Sequence, residues 1–274
     1  MTWDDGTLYA PPQKTLLSWV RVLLRGAPMA LVVFGGLLVL LLVRLIERPF
    51  WGHARPFTPA ITVYVCRTAL RILGLGIDVH GAPMVGRGAI VANHGSWLDI
   101  FVLNAISRIY FVSKSEVAGW PGIGWLARAT GTVFIERNPA RAREQTHVFR
   151  DRLLMGHKLL FFPEGTSTDG QRVLGFKTSL FAAFMESEVR QDLFVQPVSV
   201  VYHAPLGADP RFYGWWGETS FGSHLLAMLA APRHGRVDIV YHSPIEVVKM
   251  PHRKALARAC EAAVRAGFEA HVKR

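Results

Sequence analysis

The sequence predicts an α/β domain, with a mixed β-sheet flanked by helices, preceded by a hydrophobic membrane-associated helix. Three observations support this prediction. Short apolar runs alternate with helix-like stretches from about Gly76 onward. An uncharged segment, Ala27 to Val43, precedes them. Half of the 274 residues are apolar and 19% are charged, which provides a sizeable core and argues against disorder. We therefore divide the chain into a membrane-associating helical region, residues 1–75, and an α/β domain, residues 76–274.

The uncharged segment near the N-terminus is the first predicted element. At 1.5 Å per residue it covers about 25 Å, the short end of what crosses a hydrocarbon core. Snorkelling of the Arg44 side chain to the membrane surface extends the segment. Because basic residues flank both ends, the positive-inside rule does not assign its orientation in the membrane. A membrane helix, spanning or re-entrant, is the main prediction. A cleaved signal peptide and a buried helix of a soluble protein are the alternatives.

The next element, Ile61–Leu75, is amphipathic and basic. Arg67 and Arg71 lie four residues apart on one helical face, and apolar residues occupy another. Such a helix suits an anionic membrane surface. An ordinary surface helix of the domain explains the same pattern, and both interpretations stay open.

The remaining elements follow from apolar periodicity and its interruptions. The predicted strands are Ile77–His80, Ala89–Ala92, Ile109–Val112, Thr132–Glu136, Leu159–Phe162, Phe194–Tyr202 and Arg236–Tyr241. The predicted helices are Leu98–Ser107, Gly122–Ala129, Ala140–Met155, Phe176–Glu188 and His252–Lys273. Pro205–Pro232 has no clean period, so it is either a loop with a short helix or a membrane-facing insertion.

The formal charge of +11 points to partners rather than to a fold. An anionic membrane and an acidic protein are both admissible. Nucleic acid is disfavoured because no zinc-finger spacing or aromatic RNA-binding strand motif is present. Two cysteines, Cys66 and Cys260, are not spaced for zinc and do not form a disulfide framework, which favours a reducing compartment.

The stretch IVANHGSWLDI places a titratable side chain at the end of a predicted buried strand. Asn93 and His94 end the apolar run, and Asp99 follows five residues after the histidine. A histidine there can act as a general base if a carboxylate orients its ring. Ser96 and Asp99 also have the spacing of a helix capping box, which serves helix stability alone.

Three other predicted strand ends carry chemistry-bearing residues. FPEGT ends one strand with Pro163, Glu164 and Gly165; GTVFIER ends another in Arg137; and QPVS introduces Pro197. Each has an ordinary structural explanation: Glu164 as a turn carboxylate, Arg137 as a solvated strand-end charge and Pro197 as an edge-strand stop. Because carboxyl ends of strands meet at one edge of an α/β sheet, the sequence predicts a common site.

These four blocks together resemble the glycerolipid acyltransferase family, which includes 1-acylglycerol-3-phosphate acyltransferases and lyso-ornithine lipid acyltransferases. NHGSWLD, GTVFIER, FPEGT and QPVS agree with the family's motifs in order and spacing over roughly residues 75–205. The resemblance implies that residues 76–274 form an acyltransferase domain. It also implies a membrane-bound enzyme of lipid biosynthesis, acting from the cytoplasmic side of a bacterial inner membrane.

The resemblance further implies roles for individual residues. His94 deprotonates an acceptor hydroxyl, which attacks an acyl thioester, and Asp99 orients His94. The implied acceptor-binding residues are Arg137, Glu164, Gly165, Thr166 and Ser167. The implied supporting residues are Asn93, Ser96, Pro163, Lys177 and Pro197. No metal or organic cofactor is expected; acyl carrier protein or coenzyme A supplies the acyl group, and an acidic carrier suits the positive charge.

The acceptor is predicted from a departure from the family pattern. Enzymes acting on lysophosphatidate usually carry an arginine directly after Glu-Gly-Thr, whereas this chain has Ser167, with Asp169 close behind. We expect a lyso-ornithine lipid or related lyso-aminolipid whose amine pairs with Glu164 or Asp169. Lysophosphatidate, alone or as a second acceptor, is the alternative, because Arg137, Arg172 and Lys177 can hold a phosphate. A non-catalytic lipid-binding protein and a membrane-bound hydrolase complete the alternatives.

Overall fold

The computed structural model describes residues 3, 4, 6, 15–136, 142–185 and 190–272, and the side chains of residues 142–146 lie outside that description. Two helices come first. Helix α1 (Leu16–Trp51) has 36 residues, more than the uncharged segment alone predicts. Thr15 and Ser18 start it with a capping box, in which each side chain accepts from the other residue's backbone N–H at 3.3 Å.

Helix α2 (Thr58–Leu73) packs against α1 along a close crossing. A Cβ at Gly36 would lie 2.3 Å from Val65 Cγ2, so only glycine allows this approach. The buried Glu47 of α1 accepts hydrogen bonds from Phe57 N and Thr58 N at 2.7 and 3.1 Å, which satisfies the first turn of α2. The two helices therefore form one unit.

Helix α2 also packs on the α/β domain. Its apolar face, including Cys66, Ala69 and Leu70, is buried. Arg67 donates through Nε to Ala105 O at 2.5 Å. The structure thus shows α2 packed as a helix of the domain, and its contact with a membrane surface stays a prediction.

The domain contains one eight-stranded mixed sheet with the order β1-β7-β6-β2-β5-β3-β4, and β8 also pairs with β6. Strands β2, β5, β3 and β4 run parallel to one another, β6 is parallel to β2, and β7 is antiparallel to β6. The strands are β1 (Gly76–His80), β2 (Gly88–Ala92), β3 (Tyr110–Lys114), β4 (Val133–Ile135), β5 (Leu159–Phe161), β6 (Phe194–His203), β7 (Arg236–Tyr241) and β8 (Ile245–Glu246).

Helices cover both faces of this sheet. They are α3 (Asp99–Ile106), α4 (Ile123–Thr130), α5 (Ala142–Leu154), α6 (Phe221–Ala230) and α7 (Arg253–Val272). One hydrophobic core joins α1, α2, α3 and α6 to the sheet, and a second joins α5 and α7 to the opposite face. The predicted fold class is confirmed, and Pro205–Pro232 is a loop with a short helix.

One predicted helix is wrong. Of Phe176–Glu188, the structure describes residues 176–185, and only Leu180–Met185 is helical, as a 3-10 segment. Phe181 and Phe184 pack against Phe161 with ring centroids 5.3 and 5.7 Å apart. Both aromatic rings are thus buried against Phe161 from a short 3-10 turn, and the predicted α-helix does not form in the described residues.

The edge-strand explanation of Pro197 is also wrong. Pro197 lies in β6, which is central, and pairs in register with Val91 of β2. On its other side β6 pairs with β8 up to Val195 and with β7 from Val198. The proline, which has no N–H, sits where the partner strand changes.

Candidate active site

A histidine–carboxylate pair lies beyond the carboxyl end of β2, between β5 and β6. His94 Nδ1 and Asp99 Oδ2 are 2.7 Å apart. The Asp99 side chain is fully buried, whereas that of His94 is 18% exposed. Because a carboxylate only accepts, Nδ1 carries the proton, and Nε2 is left with a lone pair. No described residue hydrogen-bonds this Nε2.

The Asp99 carboxylate is held by three further donors. Oδ2 accepts from Gly95 N and Ser96 N at 3.0 and 3.1 Å, and Oδ1 accepts from the Tyr202 hydroxyl at 2.7 Å. Burial and the adjacent carboxylate raise the pKa of Tyr202 well above its ordinary value, so the phenol stays a donor. Asp99 therefore keeps one orientation toward His94.

The strand-to-helix turn produces this geometry. Helix α3 begins at Asp99 itself, and Ser96 Oγ accepts from Leu98 N at 3.3 Å. The expected capping box with Ser96 as the N-cap residue is wrong, because Leu98 is the N-cap residue of α3 and no side chain caps it, although Asp99 Oδ2 still accepts from Ser96 N. The Asp99 carboxylate therefore holds the turn before α3 and contacts the His94 ring at the same time.

Asn93 joins the site to β6. Its side-chain amide donates to Val200 O and accepts from Val200 N, both at 2.8 Å, and so extends the pairing of β2 with β6 past Ala92. Phe162 stacks on the other side, with its ring centroid 4.1 Å from that of His94 and an angle of 11° between the planes. The imidazole is thereby fixed by Asp99, by its backbone and by an aromatic face.

Glu164 is a buried carboxylate behind His94. Oε1 accepts from His94 N at 2.7 Å and Oε2 from Leu174 N at 2.8 Å. Burial raises the pKa of Glu164 to about 8, and Asp99 adds to the rise, although both backbone donors act in the opposite direction. This geometry connects the end of β5 to the histidine loop.

The residues after Glu164 form a tight turn. Gly165 has φ 74°, which favours glycine, and its N–H donates to Phe162 O at 3.1 Å. Thr166 Oγ1 accepts from Trp3 N at 3.1 Å. Ser167 is half-buried. The N-terminal Trp3 therefore lies directly against the turn that the family resemblance assigns to the acceptor.

Asp169, a proposed partner for an acceptor amine, is already paired. It is buried, and its Oδ2 accepts from Arg172 Nη2 at 2.8 Å, while Oδ1 accepts from Arg172 Nε at 3.2 Å. Arg172 lies over the Trp3 ring, with its guanidinium carbon 4.8 Å from the centroid. Direct pairing of the amine with Asp169 would have to displace this arginine.

The other predicted residues have separate positions. Pro163 is buried, and its carbonyl accepts from Lys177 N at 2.9 Å, while Lys177 itself is exposed. Pro197 lies within β6, where its carbonyl accepts from His242 N at 3.0 Å. Arg137 lies outside the described residues.

Three contributors to the site were not predicted. Tyr202 lies at the carboxyl end of a predicted strand. Because parallel strands end at the same edge of the sheet, its proximity to Asp99 could have been predicted. Phe162 ends another predicted strand and could have been found in the same way. Trp3 carries no local signal, because its contact with Thr166 depends on the folding of a distant segment.

The arrangement is suited to general base catalysis. An oriented histidine with a free lone pair can take a proton from a hydroxyl that approaches Nε2, and the buried carboxylate stabilises the resulting imidazolium. Among the described residues near the pair, no serine or cysteine hydrogen-bonds His94 as a nucleophile. The fold and the site thus define an α/β protein with an oriented histidine–aspartate pair at the carboxyl ends of its parallel strands, a geometry typical of enzymes.

Comparisons with known proteins specify this class. The family model described as Acyltransferase matches residues 76–201. A lyso-ornithine lipid O-acyltransferase of Rhodobacter capsulatus is 57% identical over 260 residues, which cover 94% of each chain. A 1-acyl-sn-glycerol-3-phosphate acyltransferase of Neisseria gonorrhoeae is 38% identical over 122 residues, 43% of this chain and 48% of that protein.

The fold also matches a solved structure. The crystal structure of the 1-acyl-sn-glycerophosphate (LPA) acyltransferase from Thermotoga maritima has a TM-score of 0.64, covering 94% of this chain and 96% of that chain at 22% identity. The chain therefore belongs to the acyltransferase family and is an acyltransferase. Its similarity to the Rhodobacter capsulatus protein extends over nearly the whole length of both chains.

Proposed function

We propose that the protein is a membrane-bound acyl thioester-dependent lysolipid O-acyltransferase, and that its preferred acceptor is a lyso-ornithine lipid or a related lyso-aminolipid. The observation that carries the proposal is the 2.7 Å contact of His94 Nδ1 with the buried Asp99, which leaves Nε2 available. The near full-length similarity to a lyso-ornithine lipid O-acyltransferase supports the acceptor class.

In the proposed reaction the His94 Nε2 removes the proton from the acceptor hydroxyl as the oxygen attacks the thioester carbonyl. Asp99, held by Tyr202 and two backbone N–H groups, stabilises the imidazolium. Collapse of the tetrahedral intermediate breaks the C–S bond, and the imidazolium returns the proton to the departing thiolate. The products are an ester and a free thiol, and no covalent acyl-enzyme forms.

The turn after Glu164 is the proposed acceptor-binding region. Gly165, Thr166 and Ser167 follow the buried carboxylate, which we propose holds this turn in place through its backbone contacts. The hydroxyl of Ser167 replaces the guanidinium that would suit a phosphate. Arg137 and Lys177 remain proposed contacts for the carboxylate or phosphate of a headgroup.

We propose that α1 holds the enzyme on the membrane by lying beside the domain. One helix in the described residues, Leu16–Trp51, is long and apolar enough to cross a bilayer. It contacts the domain near both ends, since Arg25 donates to Ala231 O at 2.5 Å and Glu47 binds α2. Its outward side exposes Leu31, Leu45 and Phe50 by 73–75%, which suits insertion of that face into lipid.

The proposed location is the cytoplasmic face of a bacterial inner membrane. The formal charge of +11 suits an anionic leaflet and an acidic acyl carrier protein. Either acyl carrier protein or coenzyme A serves as the donor carrier in this proposal, and membrane lipids surround the acceptor.

Acylation of lysophosphatidate is the second candidate. It is favoured by the 38% identity to a 1-acyl-sn-glycerol-3-phosphate acyltransferase, within a matched region of 122 residues. Use of both acceptors by one active site is consistent with a headgroup region that carries both basic and hydroxyl side chains.

The test is an assay of the purified full-length protein in lipid nanodiscs, with each lysolipid and each thioester donor. Transfer predicts equal amounts of released thiol and new lipid ester, and loss of both in His94→Ala. Free fatty acid formed without an acceptor would identify a hydrolase. Absence of any turnover with a folded protein that binds lysolipid would identify a non-catalytic lipid-binding protein.

A further inference from the structure

A second cluster of titratable side chains lies on the sheet edge formed by β1 and β7. His80 ends β1, Asp238 is within β7, and His271 is in the last described turn of α7. One ligand atom from each of the three lies within 4.8 Å of the others. Asp238 pairs in register with Val201, whose side chain alternates with that of Tyr202, so the cluster is on the sheet face opposite the Asp99 contact.

The nitrogen of His80 in this cluster lacks a hydrogen-bond partner. Nε2 is shielded from solvent and is 3.7 Å from Asp238 Oδ1, too far for a hydrogen bond, although the His80 side chain as a whole is 42% exposed. A shielded, unpartnered polar nitrogen costs free energy. The charged side chains around His80 do not give this nitrogen a hydrogen-bond partner, so a pairing network alone does not explain why it is shielded from solvent.

The other two residues are oriented as metal ligands usually are. His271 Nδ1 lies 2.8 Å from Gly267 O, which makes Nδ1 the protonated nitrogen and leaves Nε2 with its lone pair. Asp238 Oδ2 is 2.9 Å from His203 Nε2, which leaves Oδ1 toward His80. Metal-binding histidines and carboxylates typically have such outer hydrogen bonds.

We propose that His80, Asp238 and His271 bind a divalent transition metal ion, with zinc as the best match. Two imidazoles and one carboxylate form a common ligand set for this class, with a water molecule in the fourth position. Bonds of about 2.0–2.1 Å place tetrahedral ligand atoms about 3.3 Å apart, so ligand atoms that now lie up to 4.8 Å apart have to approach one another by up to about 1.5 Å, mainly by movement of the part-exposed His80 ring.

One neighbouring cation has to be accommodated. Arg236 Nε is 3.7 Å from Asp238 Oδ1, but it is also 3.5 Å from Asp78 Oδ2, and the Arg236 side chain is 48% exposed. The guanidinium can therefore pair with Asp78 as the ion enters. His242 is close to the cluster as well, and its Nε2 is already 2.8 Å from Ser199 Oγ.

Such an ion would connect the end of α7 to the edge strand β1. In the described sheet β1 pairs only with β7. Strand β1 is also far from α7 along the chain. Because binding to the folded state alone stabilises it, the ion would raise the unfolding temperature without entering the acyl-transfer chemistry. The proposal is independent of the proposed function.

The test uses full-length protein in detergent, treated with a chelator and desalted, then titrated with zinc chloride. We expect one Zn²⁺ per chain by calorimetry and a higher unfolding temperature. His80→Ala and His271→Gln should each weaken binding at least about tenfold, and His203→Ala by about 10–100-fold as an outer partner. His147→Ala, which removes an exposed histidine of α5, is the matched control and should bind normally.

Substitution of Co²⁺ gives a second readout. A visible absorption band of a four- or five-coordinate ion should appear in the wild type and disappear in His80→Ala. The proposal is overturned if the wild type binds no stoichiometric zinc, or if His80→Ala and His271→Gln bind it as tightly as His147→Ala does.

Discussion

At the residue scale, the site depends on how completely one buried carboxylate is hydrogen-bonded. Asp99 receives donors from His94, Tyr202 and two backbone N–H groups, and its side chain is fully buried. Oδ2 keeps its two backbone donors when the His94 ring is removed, whereas removing the Tyr202 hydroxyl takes away the donor described for the buried Oδ1. The hydrogen bonds that hold the turn before α3 therefore also hold the carboxylate that contacts the proposed base.

The first prediction concerns the base. His94→Ala should lower turnover by about 10²–10⁴-fold, the usual contribution of a positioned general base, because nothing else in the described site can accept the hydroxyl proton at that point. Its unfolding temperature should stay close to the wild-type value. Steady-state kinetics and thermal unfolding check this, with His147→Ala as the control. Near-native turnover with a large loss of stability would mean that the pair serves only to cap α3.

The second prediction concerns pH. The folded-state pKa of Glu164, about 8, lies above its ordinary value of 4.5. Between these values the folded protein retains a proton that the unfolded chain has released, so this contribution to stability is complete below about 4.5 and is lost as the pH rises toward 8. Between pH 4.5 and about 8, the unfolding temperature should therefore fall less steeply with rising pH in Glu164→Gln than in the wild type.

That comparison isolates one group, because the other titrating residues are common to both proteins. The amide also replaces one acceptor oxygen beside a backbone N–H, so Glu164→Gln should be less stable than the wild type at low pH, and the difference should shrink as the pH rises. Parallel pH profiles for the two proteins would show that Glu164 titrates at its ordinary value.

The third prediction concerns headgroup selection by Ser167. Ser167→Arg should shift the ratio of kcat/KM values toward lysophosphatidate, because a guanidinium offers paired donors to phosphate oxygens. Ser167→Lys is a useful comparison, since an ammonium group adds charge without the planar fork. An unchanged ratio in both variants would place headgroup recognition elsewhere, for example at Arg137.

At the element scale, the close packing of α1 and α2 depends on one glycine of an adjacent pair. A Cβ at Gly36 would lie 2.3 Å from Val65 Cγ2, whereas a Cβ at Gly35 meets nothing within 4 Å. Valine is stiff about χ1 in a helix, so it cannot simply rotate away. The two positions therefore form a matched pair.

The fourth prediction uses this pair. Gly36→Ala should destabilise the detergent-solubilised protein by about 1–3 kcal/mol, the usual cost of overpacking. Gly35→Ala should be neutral or stabilise it by up to about 1 kcal/mol through helix propensity. Thermal unfolding of both variants checks the difference. Equal effects would indicate that the α1–α2 packing does not contribute to the measured transition.

Elements with a strong period were predictable, and elements decided by distant contacts were not. Leu159–Phe161 and Arg236–Tyr241 form strands as their apolar runs indicate. The true length of α1 was missed because its arginines were taken as ends, whereas Arg25 and Arg44 both continue the helix. The aromatic packing of Phe181 and Phe184 could not be predicted, since it needs the position of Phe161.

The site shows the same division. His94 and Asp99 are close in the chain, and a strand-to-helix turn was enough to predict their contact. The contact between Glu164 and His94 N required the order of the sheet, in which β2 lies between β5 and β6. The pairing of Asp169 with Arg172, which occupies the carboxylate expected to meet an amine, depends on rotamers that no sequence pattern specifies.

At the scale of the whole molecule, the proposed catalytic pair and the proposed metal-binding cluster lie on different parts of the sheet. The histidine–aspartate pair lies at the carboxyl ends of parallel strands, where open α/β sheets place their chemistry. The His80, Asp238 and His271 cluster is on the other face, beside α7. The apolar side of α1 completes the molecule with a surface that suits lipid, and we propose that the acceptor reaches His94 from that membrane.

The fifth prediction is the direct test of this account. Values of kcat/KM for lyso-ornithine lipid and for lysophosphatidate should be measured on the purified full-length enzyme in the same nanodiscs with the same thioester. We expect an acyl ester from both acceptors, a higher kcat/KM for lyso-ornithine lipid, and a loss of about 10²–10⁴-fold in both rates in His94→Ala. A preference of tenfold or more for lysophosphatidate, about 1.4 kcal/mol in transition-state discrimination, would contradict the account.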